Sequence, residues 1–205
     1  HRGYSDTYPE NTLIAYERAA RLGFQVGEAD LLKSSDGEIV LMHDDTVDRT
    51  TDGTGTVASK TWAELQALDA GSWKGSQFAG TTIPNFEGWL RKLKTLNMVG
   101  VAETKFDPTV AEVQAMLVTI KKVGMTGRVR ITSFNKTDLE RFKAEDATID
   151  LTFNSQAEVD YAHSLGLLVS AFTINNASDV VSLAALGVDK IITDKLDVND
   201  ILTPI

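Results

Sequence analysis

Three short runs place ionisable residues where a buried strand would otherwise carry aliphatic ones. In V-G-E-A-D-L-L-K, Glu28 and Asp30 stand two apart among apolar neighbours; in M-V-G-V-A-E-T-K, Glu103 and Lys105 close an apolar run; in E-I-V-L-M-H, His43 closes another. Alternation along a strand puts Val26, Glu28, Asp30 and Leu32 on one face, Ile39, Leu41 and His43 on one face of the next, and Val99, Val101, Glu103 and Lys105 on one face of a third. Each face starts aliphatic and ends ionisable. In a parallel barrel this pattern gives packed layers below and a reactive rim at the strands' C-terminal ends, so these residues are expected to converge at one mouth.

Three converging carboxylates repel and hold raised pKa values unless a cation neutralises them. Oxygen-only ligands suit Mg²⁺ or Ca²⁺ better than Zn²⁺, and the chain has no cysteine to offer. An isolated E-x-D is most often a solvated or ion-paired surface feature, and Glu103 alone could simply pair with Lys105. Three acids at matched strand ends argue for a metal site of Glu28, Asp30 and Glu103. Of the three histidines, His1 and His43 stand at such positions, and two imidazoles flanking a metal can share general acid and general base duty near neutral pH. His163 falls on a polar helical face and reads as a surface residue. Arg2 and Lys105 carry positive charge suited to a phosphate, the Arg through a planar fork; position alone allows them equally to pair with the acids.

The elements that must position these groups follow from periodicity. P-E-N-T-L-I-A-Y-E-R-A-A-R-L-G reads as a helix stopped at Gly23, followed by strands over 24–32 and 38–43 around the turn S-S-D-G. Residues 46–83, rich in Thr, Gly, Asp and Ser, form an excursion with a short helix at T-W-A-E-L-Q-A-L-D-A. Beyond it, strands M-V-G-V-A-E-T-K, R-V-R-I-T-S-F, T-I-D-L-T-F-N, L-L-V-S-A-F-T-I and K-I-I-T-D alternate with helices over 109–123, 136–144, 156–165 and 177–186. Such alternation argues for parallel βα units. The expected fold is a single domain over 1–205, a TIM-type (β/α)8 barrel with a small insertion after the third strand. Seven strands are readable, and the first is expected upstream of His1. An open doubly wound sheet is disfavoured, because no G-x-G-x-x-G loop opens the chain.

Composition bounds the partners. A formal net charge of −9 and a pI near 4.8, without any block of Lys and Arg, argue against binding nucleic acid or an anionic membrane surface. No apolar run approaches the roughly 20 residues that span a bilayer. The absence of cysteine excludes disulfides and thiolate chemistry. A start at His1, without Met or a signal core, suggests a piece of a larger chain.

The ordered motifs resemble the glycerophosphodiester phosphodiesterase family. H-R-G-Y-S-D-T-Y-P-E-N-T is similar to its opening H-R-G and P-E-N-T, and G-E-A-D-L-L-K-S-S-D-G-E-I-V-L-M-H-D-D-T-V-D-R-T-T-D-G-T-G to its E-x-D, DG, HD and R-T-T run; I-P-N-F-E-G-W-L, V-A-E-T-K, I-T-S-F-N, A-F-T-I-N and G-V-D-K-I-I-T-D follow in order. The resemblance implies a TIM barrel with the insertion at 46–83, a divalent metal on Glu28, Asp30 and Glu103, His1 and His43 as the acid/base pair, and Arg2 and Lys105 on the phosphate. It implies release of an alcohol and glycerol 3-phosphate through a cyclic phosphate formed by the neighbouring glycerol hydroxyl. Where the family commonly carries Trp in W-T-V-N, this chain has Phe172, an apolar wall of the substrate site without the indole N–H.

The expectation is therefore a metal-dependent phosphodiesterase acting on small glycerophosphodiesters. A second expectation is a hydrolase of glycerol-phosphate polymers such as teichoic acids, within a cell-surface or phage-tail protein. A third is a catalytically silent module binding phosphorylated glycans. An extracellular or cell-surface setting is expected over a cytoplasmic one.

Overall fold

Thr61 and Thr109 each open a helix by accepting from the backbone N–H three residues on, while Glu64 and Glu112 reach back to the cap N–H. The second of these helices, Val110–Val123, stops at Gly124, whose φ of +76° closes the last turn in the left-handed region. Local signals of this kind set the element order in the computed structural model, which describes residues 1–153, 159, 163, 168–171, 173–174 and 177–194. The elements are α1 (Leu13–Arg21), β1 (Val26–Lys33), β2 (Ile39–Leu41), α2 (Trp62–Gln66), α3 (Phe86–Thr95), β3 (Val99–Thr104), α4 (Val110–Val123), β4 (Val129–Ser133), α5 (Lys136–Glu145), β5 (Asp150–Phe153), β6 (Leu168–Ala171), the helix Ala177–Ala185 and β7 (Lys190–Ile191).

The strands form one sheet in the order β2-β1-β3-β4-β5-β6-β7. From β1 through β3 to β7 every pairing is parallel. Helix α1 leads into β1, helices α3, α4 and α5 return the chain between parallel neighbours, and the architecture is that of a TIM-type α/β barrel. On β1, Ala29 and Leu31 join the main core with Trp89, Leu93, Met116 and Phe142; by alternation Glu28 and Asp30 face the opposite, inner side.

One expectation is corrected. The segment ending at His43 is not a parallel barrel strand, because β2 runs antiparallel to β1, with Leu31 opposite Leu41 and Lys33 opposite Ile39. The reason is length: the S-S-D-G turn is far shorter than the dozen or more residues of a parallel crossover, and suffices only for a hairpin. The insertion accordingly follows an edge hairpin rather than a third barrel strand, and His43 comes just after that hairpin. The insertion has its own small core, in which Val47, Val57, Leu65, Ala70 and Ile83 pack on Leu32, Val40 and Met42 of the hairpin.

At the other side, β1 and β7 are not hydrogen-bonded to each other among the described residues. A groove of about 370 Å³ lined by Phe24, Val26, Val101, Ile191 and Ile192 lies between them. The rim above it is bridged by His1, whose backbone nitrogen donates to the Thr193 carbonyl at 2.9 Å. Among the described residues no helix is long and apolar enough to cross a membrane.

Residues 1–3 reach the rim only because α1 comes very close. A Cβ on Gly3 would sit 2.7 Å from the Ala15 Cβ and 2.8 Å from the Ala15 carbonyl carbon, at a φ of +76°. Both space and backbone conformation demand glycine there. Gly3→Ala is expected to cost about 2–4 kcal/mol in urea unfolding monitored by circular dichroism; a variant as stable as the parent would refute this account.

Candidate active site

Glu28, Asp30 and Glu103 each offer a carboxylate oxygen within 4.8 Å of the others, and all three side chains are buried. Parallel register does this directly: Asp30 on β1 lies opposite Glu103 on β3, with Glu28 one pleat earlier. The remaining contacts aim them. Asn11, itself buried at a φ of +55°, donates from Nδ2 to Asp30 Oδ2 at 2.8 Å and accepts the Asp30 backbone N–H at 3.3 Å. The Tyr16 hydroxyl donates to the Glu28 carbonyl at 2.8 Å. Arg2, at a φ of +53°, turns its backbone N–H onto Glu28 Oε2 at 2.8 Å.

Burial, together with the neighbouring carboxylates, pushes Glu28 and Glu103 up to about 7. Glu28 Oε1 is buried with no hydrogen-bond partner among the described residues. An unsatisfied carboxylate oxygen is costly, and one aimed into an acidic cluster asks for a cation. Three hard oxygen donors at this spacing fit a divalent metal.

The basic residues gather where expected. Lys105 Nζ lies 3.7 Å from both Asp30 Oδ1 and Glu103 Oε1, and Arg2 Nε lies 3.0 Å from Asp30 Oδ2. His1 comes within 4.0 Å of Glu28 Oε2 through Nε2, while its Nδ1 is 2.9 Å from Asp194 Oδ1. Burial pulls the His1 pKa down, but the Asp194 hydrogen bond and the Glu28 charge outweigh it, leaving it raised. His43 is set beside Asp30 by the backbone, since Met42 N–H donates to the Asp30 carbonyl at 3.1 Å. Its Nδ1 lies 2.5 Å from Asp44 Oδ1. Both histidines therefore engage an aspartate through Nδ1, and Thr173 Oγ1 lies 3.2 Å from Nδ1 and 3.4 Å from Nε2 of His1.

Sequence reasoning missed these supports. Asp44 and Asp194 sit inside quoted motifs, H-D-D and I-I-T-D, but nothing in spacing shows which carboxylate will meet an imidazole. Asn11 sits inside the quoted P-E-N-T run, and nothing in its spacing shows that it will meet Asp30. Phe172 lies outside the described residues. His163 is exposed, 2.8 Å from Asp189, as a surface histidine should be. Beside the site, a cleft of about 370 Å³ opens along Glu103, Lys105, Phe106, Ser133 and Phe134.

The barrel and its mouth thus define an α/β protein built to gather acidic and imidazole groups around a site that could hold a divalent cation. The model of the glycerophosphoryl diester phosphodiesterase family matches residues 1–160. The chain is 32% identical over 225 residues to the glycerophosphodiester phosphodiesterase of Caldanaerobacter subterraneus, covering 95% of this chain and 92% of that one. It is 31% identical over 244 residues to the glycerophosphodiester phosphodiesterase of Bacillus subtilis, covering 96% and 83%. Among solved structures, a phosphodiesterase of Oleispira antarctica in complex with the product sn-glycerol-3-phosphate superposes with a TM-score of 0.82 at 28% identity, over 98% of this chain and 94% of that one. The chain belongs to the glycerophosphoryl diester phosphodiesterase family, and with it to the phosphoric diester hydrolases.

Two expectations follow from the acidic cluster. Carboxyls whose folded pKa is raised to about 7 hold protons that the unfolded chain releases near 4.5, so folded stability falls as pH rises through that window. In chelator the protein should therefore melt several degrees lower at about pH 8 than at about pH 5.5. Saturating divalent metal should remove or reverse the difference; scanning calorimetry with and without chelator checks both. Asn11→Ala should weaken metal binding about 10-fold by releasing Asp30, as read by titration calorimetry; unchanged affinity would deny Asn11 that role.

Proposed function

We propose that the chain hydrolyses glycerophosphodiesters to glycerol 3-phosphate and an alcohol. The observation that carries this reading is the buried acidic triad with His1 4.0 Å from Glu28, in a chain of this family in which His1 and His43 each engage an aspartate through Nδ1. The product named for the Oleispira relative, sn-glycerol-3-phosphate, supports the same substrate class. Glu28, Asp30 and Glu103 would hold Mg²⁺ or Ca²⁺, which when bound supplies positive charge to the non-bridging phosphate oxygens. Arg2 and Lys105 stand beside these carboxylates and contact the same phosphate, the Arg through its fork and the Lys as a point charge.

His1 and His43 divide the proton work at their Nε2 atoms. One accepts the proton of the glycerol hydroxyl that attacks phosphorus; the other donates a proton to the departing alcohol oxygen as the P–O bond to it breaks. The cyclic phosphate formed is then opened by water with the two roles exchanged. Asp194 and Asp44 favour the Nδ1–H tautomer and stabilise each imidazolium as it forms. The cleft bordered by Phe106 and Phe134 receives the alcohol half of the diester, since it opens directly from Glu103 and Lys105.

Glycerol 3-phosphate release from a panel of glycerophosphodiesters, in Mg²⁺, Ca²⁺ and chelator, tests the reading. Release is expected with metal and not in chelator. His43→Ala should lower kcat by roughly 10²- to 10⁴-fold and leave metal affinity intact. Silence of the folded, metal-loaded protein across the panel would sink the proposal.

A further inference from the structure

A line of charged side chains runs from the acidic centre to His43 through Glu10 and Arg49, which have been given no role so far. Arg2, whose Nε faces Asp30, donates from Nη1 to Glu10 Oε1 at 3.1 Å. Arg49 takes Glu10 from the other side, Nη2 to Oε1 at 2.8 Å and Nη1 to Oε2 at 2.9 Å. The adjacent edge of the same guanidinium holds both oxygens of Asp44, with Nε to Oδ2 at 2.6 Å and Nη2 to Oδ1 at 3.1 Å. Asp44 Oδ1 is the atom that meets His43 Nδ1. Arg49 thus commits four of its five N–H groups to two carboxylates in two parallel forks, a geometry that Lys cannot reproduce.

An exposed ion pair by itself contributes little, and Arg49 is 43% exposed. Its arrangement differs from a loose surface pair in what it restrains. Glu10 lies in the loop before α1, and only 12% of its side chain is exposed; Asp44 and Arg49 lie after the β2 hairpin. The double fork therefore ties the loop that carries His43 to the loop that leads from Arg2 and Asn11 into α1. A free Asp44 could rotate and accept from solvent, and His43 would then sample both tautomers.

We infer that Arg49 is a positioning residue for His43: by clamping Asp44 against Glu10 it fixes the carboxylate that holds Nδ1–H and so reserves Nε2 for proton exchange with the substrate. Glu10 is the anchor, and Arg2 links that anchor to Asp30. The inference rests on the reading of His43 as an acid/base group, and its test is chosen to separate the two.

Arg49→Lys and Arg49→Gln are compared with the parent for kcat and KM on a glycerophosphodiester, for metal affinity by calorimetry, and for the His43 ring by ¹⁵N NMR at alkaline pH. Both variants should lower kcat about 10- to 100-fold with KM and metal affinity within about 3-fold, and the His43 spectrum should change from one tautomer to a mixture. Lack of rescue by Lys is part of the expectation, because charge is kept and the forks are lost. Glu10→Gln keeps the Arg49–Asp44 fork and serves if the Arg49 variants fail to fold; a smaller loss of kcat with partial tautomer mixing is expected. Parental kcat with an unaltered tautomer in any folded variant overturns the inference. So does a loss shared equally by kcat, KM, metal affinity and melting temperature, which marks a structural role. If the parent hydrolyses no diester, the functional reading fails, while the tautomer measurement still decides the role of Arg49.

Discussion

Burying three carboxylates within 4.8 Å of one another is the constraint around which this molecule is arranged. Each pair of charges at that spacing repels by ~3 kcal/mol or more even at a generous effective dielectric constant of about 20. Protonation or a bound cation relieves the repulsion. The surroundings are built accordingly: Asn11 and the Arg2 backbone hold carboxylate oxygens of Asp30 and Glu28 through neutral donors, Tyr16 fixes the Glu28 backbone carbonyl, and the Arg2 and Lys105 side chains supply partial compensation from the side.

The same economy shapes the histidines. Each meets an aspartate from a different part of the chain: Asp194 beyond the last parallel strand for His1, and the adjacent Asp44 for His43. Arg49 holds the Asp44 carboxyl far below the usual carboxylate range, chiefly by its hydrogen bonds. Arg49 and Arg2 likewise outweigh the burial of Glu10 and lower it. In this acidic protein, with its net charge of −9, arginine thus lowers Glu10 and Asp44, while burial and mutual repulsion raise Glu28 and Glu103.

The hairpin at β1 and β2 explains how a residue outside the parallel barrel reaches the mouth. Antiparallel pairing carries the chain back along β1, so Met42 arrives beside Asp30 and His43 follows it onto the rim. The insertion then packs its small apolar core on Leu32, Val40 and Met42 of the same hairpin, the side away from Leu31 and Leu41 in the main core, bracing the loop that holds Asp44 and Arg49. Packing of the insertion and placement of His43 are in this sense one event.

The sequence by itself determined much of this. Alternation within β1 and β3 put Glu28, Asp30 and Glu103 on matched faces, and parallel register then had to bring them level, because side-chain direction along a strand is a local property. The alternation of strands and helices identified the barrel for the same reason, and the helix starts at Thr61 and Thr109 were written in their capping residues. The sense of β2 was also readable, because the S-S-D-G turn is too short for a parallel crossover; only the tertiary structure decided the partners of each charged group. Asp194 meets His1 from 193 positions away, and Glu10 meets Arg49 from 39. Contacts of that kind depend on how separate loops lie over one rim. Neither residue type nor spacing encodes that arrangement, so it becomes visible only once the chain has closed on itself.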